Sequence, residues 1–235
     1  MATVPAMGAR RFPASFPVTR TLLYIRTMRR RAAALGLLIV LSGCFTGKRP
    51  SVSTEPFAVG SSSGDPAIDQ VLHELDMNNV GPYTADYTML TKFGNVSRPG
   101  SVSVDHGRRS ITVGNVRFLT VNNVSQTCPV DNSRPCSPSL DPASISDTQI
   151  TPDFYGPDAA KRLRRDATAL VGPAVLHVET IAGQSTTCVD VPLPGGTSVF
   201  CVLAGGPLAR LDDASIEIFL TQFAPAVDES LFATT

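Results

Sequence analysis

Apolar residues along this chain recur at two periods, and the change from one to the other marks out the elements. After Asp65-Pro66, which reads as an N-cap and first helical residue, Ile68, Val71, Leu72 and Leu75 recur at spacings of three and four. Asp69, Glu74 and Asp76 point away, so the pattern predicts an amphipathic helix, ending at Asn78-Asn79 and the Gly81-Pro82 break. From Tyr83 the period drops to two: Tyr83, Ala85, Tyr87 and Met89 alternate with Thr84, Asp86 and Thr88. Val102 and Val104 begin a second strand after a loop through Gly94 and Pro99, and a turn at Asp105-His106-Gly107 leads into Arg109 to Val113. Gly114-Asn115 then reads as a two-residue hairpin turn into Val116 to Val121, completing a four-strand antiparallel meander.

Gln126 to Pro157 breaks both periods. It is polar and proline-rich, and such a long stretch without regular structure reads as a lid or functional insertion. Pro157-Asp158 starts a second helix, with Leu163, Ala167 and Leu170 as its apolar stripe. Its Lys161, Arg162, Arg164 and Arg165 read as a solvated face, or as a contact for anionic headgroups or an anionic ligand. Strands then follow at Ala174 to Ile181, Ser185 to Val191, Ser198 to Leu203, Leu208 to Leu211 and around Ile216, Ile218 and Leu220. The expected fold is α+β: a single curved, half-barrel-like antiparallel sheet of about eight strands against two helices.

The cysteines sharpen the strand register. Cys128, Cys136, Cys188 and Cys201 form an even set that allows three pairings, and we expect Cys128–Cys136 and Cys188–Cys201. The first bridge would staple the loose insertion. For the second, a turn centred on Pro194-Gly195, or a longer loop in the same register, sets Cys188 directly opposite Cys201, at a separation a disulfide tolerates. That register also puts Val189, Val191, Phe200 and Val202 together on the other face. A zinc site is the rival reading, but the sequence has no CxxC and no histidine near either pair, so no metal is expected.

The N-terminal region supplies an address. Arg29, Arg30 and Arg31 precede an apolar run from Ala32 to Leu41, too short to cross a bilayer as a helix. Leu41-Ser42-Gly43-Cys44 follows and resembles the bacterial lipobox. The resemblance implies that the Cys44 thiol receives a diacylglycerol and that cleavage makes Cys44 the mature N-terminus. Residues 1–27 lie awkwardly upstream, with Met28 as the expected initiator and a long n-region as the alternative. Residues 1–43 are thus read as upstream segment and signal peptide, 44–64 as a flexible tether, 65–228 as one domain and 229–235 as a C-terminal tail.

Charge changes meaning once this leader is set aside. Seven of the 20 Lys and Arg and none of the 20 Asp and Glu precede Cys44, so the mature chain carries 13 basic and 20 acidic residues. A net negative surface argues against a nucleic-acid partner. Three lysines against 17 arginines suggest an actinobacterial source. The expected place is the extracytoplasmic face of the cell membrane, held there through lipidated Cys44.

The order of lipobox, tether, helix, meander, loop-plus-helix and second meander resembles the lipoprotein-carrier fold of LolA, LolB, LppX and LprG. The resemblance implies a sheet wrapped around helices with a cavity for acyl chains, and hence an envelope protein that binds or transfers an amphiphilic lipid. Tyr87, Met89, Val113, Phe118, Val178, Phe200, Ile218 and Phe219 are the candidate cavity residues, and they serve a solid core equally well. A filled core would point instead to a non-catalytic protein-interaction or structural module.

Catalytic chemistry is thin. Gly60-Ser61-Ser62-Ser63-Gly64 matches the G-x-S-x-G pattern, but a Ser/Gly linker precedes it where a buried strand is needed. His177 and Glu179, two apart on one strand face, are the best acid/base pair available. No enzyme activity and no cofactor are expected; the oligomeric state stays open.

Overall fold

The computed structural model describes residues 57–77, 81–148 and 150–233, so the leader, Cys44 and most of the tether lie outside the described residues. No helix among the described residues is long and apolar enough to cross a membrane. The elements begin with helix α1 (Pro66–Met77) and strands β1 (Tyr83–Thr91), β2 (Val96–Asp105), β3 (Arg108–Val113), β4 (Val116–Val121), β5 (Val124–Pro129) and β6 (Ser137–Pro138). Helices α2 (Pro142–Thr148) and α3 (Pro157–Ala167) follow. Then come β7 (Val175–Ile181), β8 (Gln184–Leu193), β9 (Gly196–Leu203), β10 (Leu208–Asp212), β11 (Ile216–Ala224) and a 3-10 turn at Glu229–Phe232.

The strands make one open antiparallel sheet of eleven, in the order β6-β5-β4-β3-β2-β1-β11-β10-β9-β8-β7. Eleven strands replace the expected eight or so. The first cause is Asn122-Asn123, both left-handed at φ 49° and 64°, which turn the chain between Val121 and Val124 and extend the meander into the supposed loop. Asparagine tolerates that conformation in a two-residue hairpin turn. β6 then pairs with β5, so the insertion becomes the outer edge of the sheet. β2 also starts earlier than expected, at Val96, and runs through Pro99 opposite Thr88.

Elsewhere the turns carry the expected register. Val113 faces Val116 across Gly114-Asn115, and Leu193 faces Gly196 across Pro194-Gly195. The latter hairpin sets Cys188 opposite Cys201, and the two form a disulfide with Cα atoms 4.0 Å apart. Cys128 and Cys136 form the other.

Alternation along each strand gives the sheet an inner and an outer face. Ala85, Val102, Ile111 and Phe118 run across the first meander, and Val189, Phe200, Leu211 and Ile218 across the second, all at most 1 % exposed. Helix α1 lays Ile68, Val71, Leu72 and Leu75 on the inner face, its first turn capped by Asp65 Oδ1, which accepts the Ala67 and Ile68 amides. Helix α3 packs beside it through Ala159, Ala160 and Leu163.

The basic cluster of α3 divides: Lys161 and Arg165 are exposed, as a solvated face requires, while Arg162 and Arg164 are drawn into the fold. Arg164 is 4 % exposed; it donates from Nη2 to Asp76 on α1 and from Nε to the Ser61 carbonyl. Asp76 also accepts the Gly60 amide, and Asp69 accepts both the amide and the hydroxyl of Ser63. Gly60 to Ser63, expected as loose spacer, is therefore fastened across both helices. The C-terminal turn is likewise held, on the outer face: Arg108 pairs with Glu229 and lies 4.7 Å over the Phe232 ring, and Ser110 Oγ donates to the Leu231 carbonyl.

Asp213 closes the β10–β11 turn. Burial works to raise its carboxyl, but the Ser215 hydroxyl, the Ile216 and Ser215 amides and Arg162 of α3 outweigh it and hold the group below the usual carboxylate range. A carboxyl with a lowered folded pKa adds stability above its unfolded value and loses it as pH falls through the folded one. Urea unfolding of the natural chain should therefore show stability falling as pH drops below about 4. Asp213→Asn should lose about 1–3 kcal/mol at neutral pH and show a flatter acid limb.

Candidate functional site

The sheet places the eight cavity candidates in three ways. Tyr87, Met89, Val113, Phe118, Phe200 and Ile218 meet on the inner face, each 0–2 % exposed. All six are closely packed by neighbouring atoms and none opens to solvent. Phe219 lies on the outer face, 36 % exposed, because it alternates with Ile218 along β11. Val178 has inner-face parity but sits on the terminal strand β7, with no strand beyond it, and is 72 % exposed.

The filling comes from the end of the insertion. Phe154 packs edge-on against the Tyr87 ring at 5.2 Å and against Tyr155 at 5.9 Å. Its neighbours lock the segment down: the Leu208 amide donates to the Tyr155 carbonyl at 2.8 Å, and Arg109 pairs with Asp153 at 2.8 Å. The Tyr87 hydroxyl donates to the Leu208 carbonyl, and its pKa is raised above the usual range chiefly by burial. The stretch that reads as a lid is a plug. Phe154-Tyr155, an adjacent aromatic pair in an otherwise polar run, was the available signal for it.

Two clefts among the described residues bring polar side chains together and open to solvent. One of about 290 Å³ is lined by Val104, Arg108, Arg109, Thr120, Asn123 and Tyr155, but both arginines are already paired with carboxylates. Another, about 190 Å³, brings Ser62, Asp69, His73 and Asp76 together at the G-x-S-x-G stretch. There the Ser62 hydroxyl donates to Asp69 Oδ2 at 2.5 Å, which commits its proton to a carboxylate. That hydrogen bond fastens the strap to α1.

The densest chemistry lies on the outer face of β7–β10. His177 faces Cys188 across the β7–β8 ladder, Cys188 faces Cys201, and Cys201 faces Arg210 of β10. Glu179, two residues along β7, leans over the disulfide with Oε2 3.9 Å from Cys188 Sγ and 3.8 Å from Cys201 Sγ. Asp190 lies 4.0 Å from His177 Nδ1, and Arg210 is 3.8 Å from Glu179 and 3.0 Å from Asp212. No histidine is near either cysteine pair in the sequence, but the β7–β8 hairpin supplies one.

No family model matches the sequence, and no curated protein matches it. Among solved structures, the chain is similar to MucB in its complex with MucA(peri), at 9 % identity and TM-score 0.40, over 72 % of this chain and 59 % of that one. It therefore spans less than two thirds of that protein. A DUF1329 family protein from Desulfovibrio piger gives 8 % identity and TM-score 0.33 over 72 % of this chain and 98 % of that one. A putative outer membrane lipoprotein-sorting protein domain from Vibrio parahaemolyticus gives 8 % and 0.30 over 69 % and 94 %.

Phe154→Ala should open a void against Tyr87 and cost about 3–5 kcal/mol. Denaturant unfolding measures it; an unchanged midpoint would show that Phe154 fills nothing.

Proposed function

We propose that the protein is a lipid-anchored, extracytoplasmic envelope protein whose folded unit is a non-catalytic protein-interaction module. The observation that carries this reading is the filled inner face, where Phe154 occupies the space beside Tyr87 that an acyl chain would need. The lipobox ending at Cys44 supports the anchor, and two disulfides suit an oxidising compartment.

Strand β7 supports the interaction role. It is a terminal strand of the sheet and carries Val175, Leu176 and Val178 at 55, 39 and 72 % exposure, with Val171 just before it at 62 %. An edge strand with apolar side chains and open backbone groups is a template for pairing with another chain unless it is blunted by charge or proline. Here the strand has no lysine, arginine or proline, and its one acidic residue, Glu179, is turned toward Arg210 on the outer face. The partner segment this edge fits is an extended strand with apolar side chains at alternate positions.

Native mass spectrometry of the intact chain, released from detergent after incubation with vesicles of envelope phospholipid, tests the reading. A protein mass with no stoichiometric acyl-bearing adduct beyond the covalent anchor is expected. A bound, extractable lipid would return the inner face to the carrier reading. In parallel, a photo-crosslinking residue at Val178 should give a discrete protein crosslink in envelopes, lost when Leu176→Lys is added. Crosslinks to lipid alone would overturn the interaction reading.

A further inference from the structure

We propose that the Cys188–Cys201 disulfide masks a metal site: reduced, the two sulfurs join His177 and Glu179 as a four-ligand zinc centre on the outer face of β7–β9. The inference stands apart from the interaction reading: it shares strand β7 with it but uses the polar side chains of His177 and Glu179, not the apolar ones.

The geometry is that of a site assembled before the metal arrives. His177, Glu179 and Cys188 offer ligand atoms that all lie within 4.8 Å of one another. Cys201 is bonded to Cys188, and its Sγ is 3.8 Å from Glu179 Oε2. Tetrahedral zinc holds sulfur, nitrogen and oxygen at about 2.0–2.3 Å, which separates its ligands by roughly 3.3–3.8 Å. His177, Glu179 and Cys188 must close by only about 1 Å, and the Cys201 sulfur moves away from Cys188 once their bond is cut. Three adjacent strands hold their Cα atoms in register, so side-chain rotation suffices. Two thiolates with one imidazole and one carboxylate form a donor set that zinc accepts and that hard cations such as magnesium do not.

The surroundings suit this chemistry. Asp190, 4.0 Å from His177 Nδ1, is the outer carboxylate that a metal-bound imidazole uses to fix its tautomer. Arg210 favours thiolate over thiol in the reduced pair, and keeps Asp212 as its partner when Glu179 turns to the metal. His177 and Glu179 have side chains 37 and 39 % exposed, so the metal enters from solvent over sulfurs that are themselves buried.

The redox step balances with a dithiol reductant. One of its thiolates attacks a sulfur of the bridge, the Cys188–Cys201 bond breaks, and the resulting mixed disulfide is resolved by the second thiol. The dithiol leaves as a disulfide, having given two electrons and two protons to the pair. Zinc then displaces those two protons as it binds both sulfurs.

The test uses the full chain carrying Cys44→Ser, Cys128→Ser and Cys136→Ser, so that Cys188 and Cys201 are its remaining cysteines. It is reduced with dithiothreitol, freed of it under argon, and titrated with cobalt(II) as an optical stand-in for zinc. The expected result is one equivalent bound, with tetrahedral visible bands and a thiolate-to-cobalt charge-transfer band. The oxidised chain should show neither. His177→Ala and Glu179→Gln should each weaken cobalt binding at least about tenfold while leaving the oxidised fold intact by circular dichroism. Three outcomes overturn the proposal: no charge-transfer band on reduction, unchanged affinity in His177→Ala, or a reduced chain that loses its sheet signal and does not regain it with metal.

Discussion

Everything on the inner face depends on the contact between Phe154 and Tyr87. An open antiparallel sheet of eleven strands has far more apolar surface than two short helices can cover, and α1 and α3 lie chiefly over β8 and β9, with α1 also touching β7. What remains over β1 and its neighbours must be covered by something else. A two-ring edge-to-face pair, tied by the Tyr155 carbonyl to β10 and by Asp153 to β3, does that with residues from an irregular segment. On the interaction reading proposed above, the same contact takes volume for which an acyl chain would compete.

Much of this was legible in the sequence, and the reason is periodicity. The α1 stripe, the β1 alternation and the two-residue turns at Gly114-Asn115 and Pro194-Gly195 are local patterns, and the structure follows them residue by residue. Phe219 shows the same rule ignored: it cannot share a face with Ile218 one residue away. Val178 obeys parity, but its exposure depends on β7 being the terminal strand, which no strand pattern records. Asn122-Asn123 carried a turn signal that a proline-rich continuation obscured.

The candidate site was legible to a different degree. A two-residue turn at Pro194-Gly195 brings the cysteines together, and the same reasoning at Ala182-Gly183 sets His177 against Cys188. Distance along the chain hid the histidine; distance across the sheet does not. By contrast, the burial of Arg164 and the packing of Phe154 arise from contacts between elements 88 and 67 residues apart, where propensity and spacing have no say.

Arg164 and Asp76 have a mechanical consequence. Between them they grip Ser61 and Gly60, at the point where the chain arrives from its N-terminal side. A pull from upstream is therefore delivered first to a buried ion pair bridging two packed helices, not to the edge of the sheet. A strand peeled from an edge yields one bond at a time, whereas this clamp must give way along with the burial of Arg164. Load applied at Gly60 and Ser61 is borne by this clamp without the ladder being unzipped.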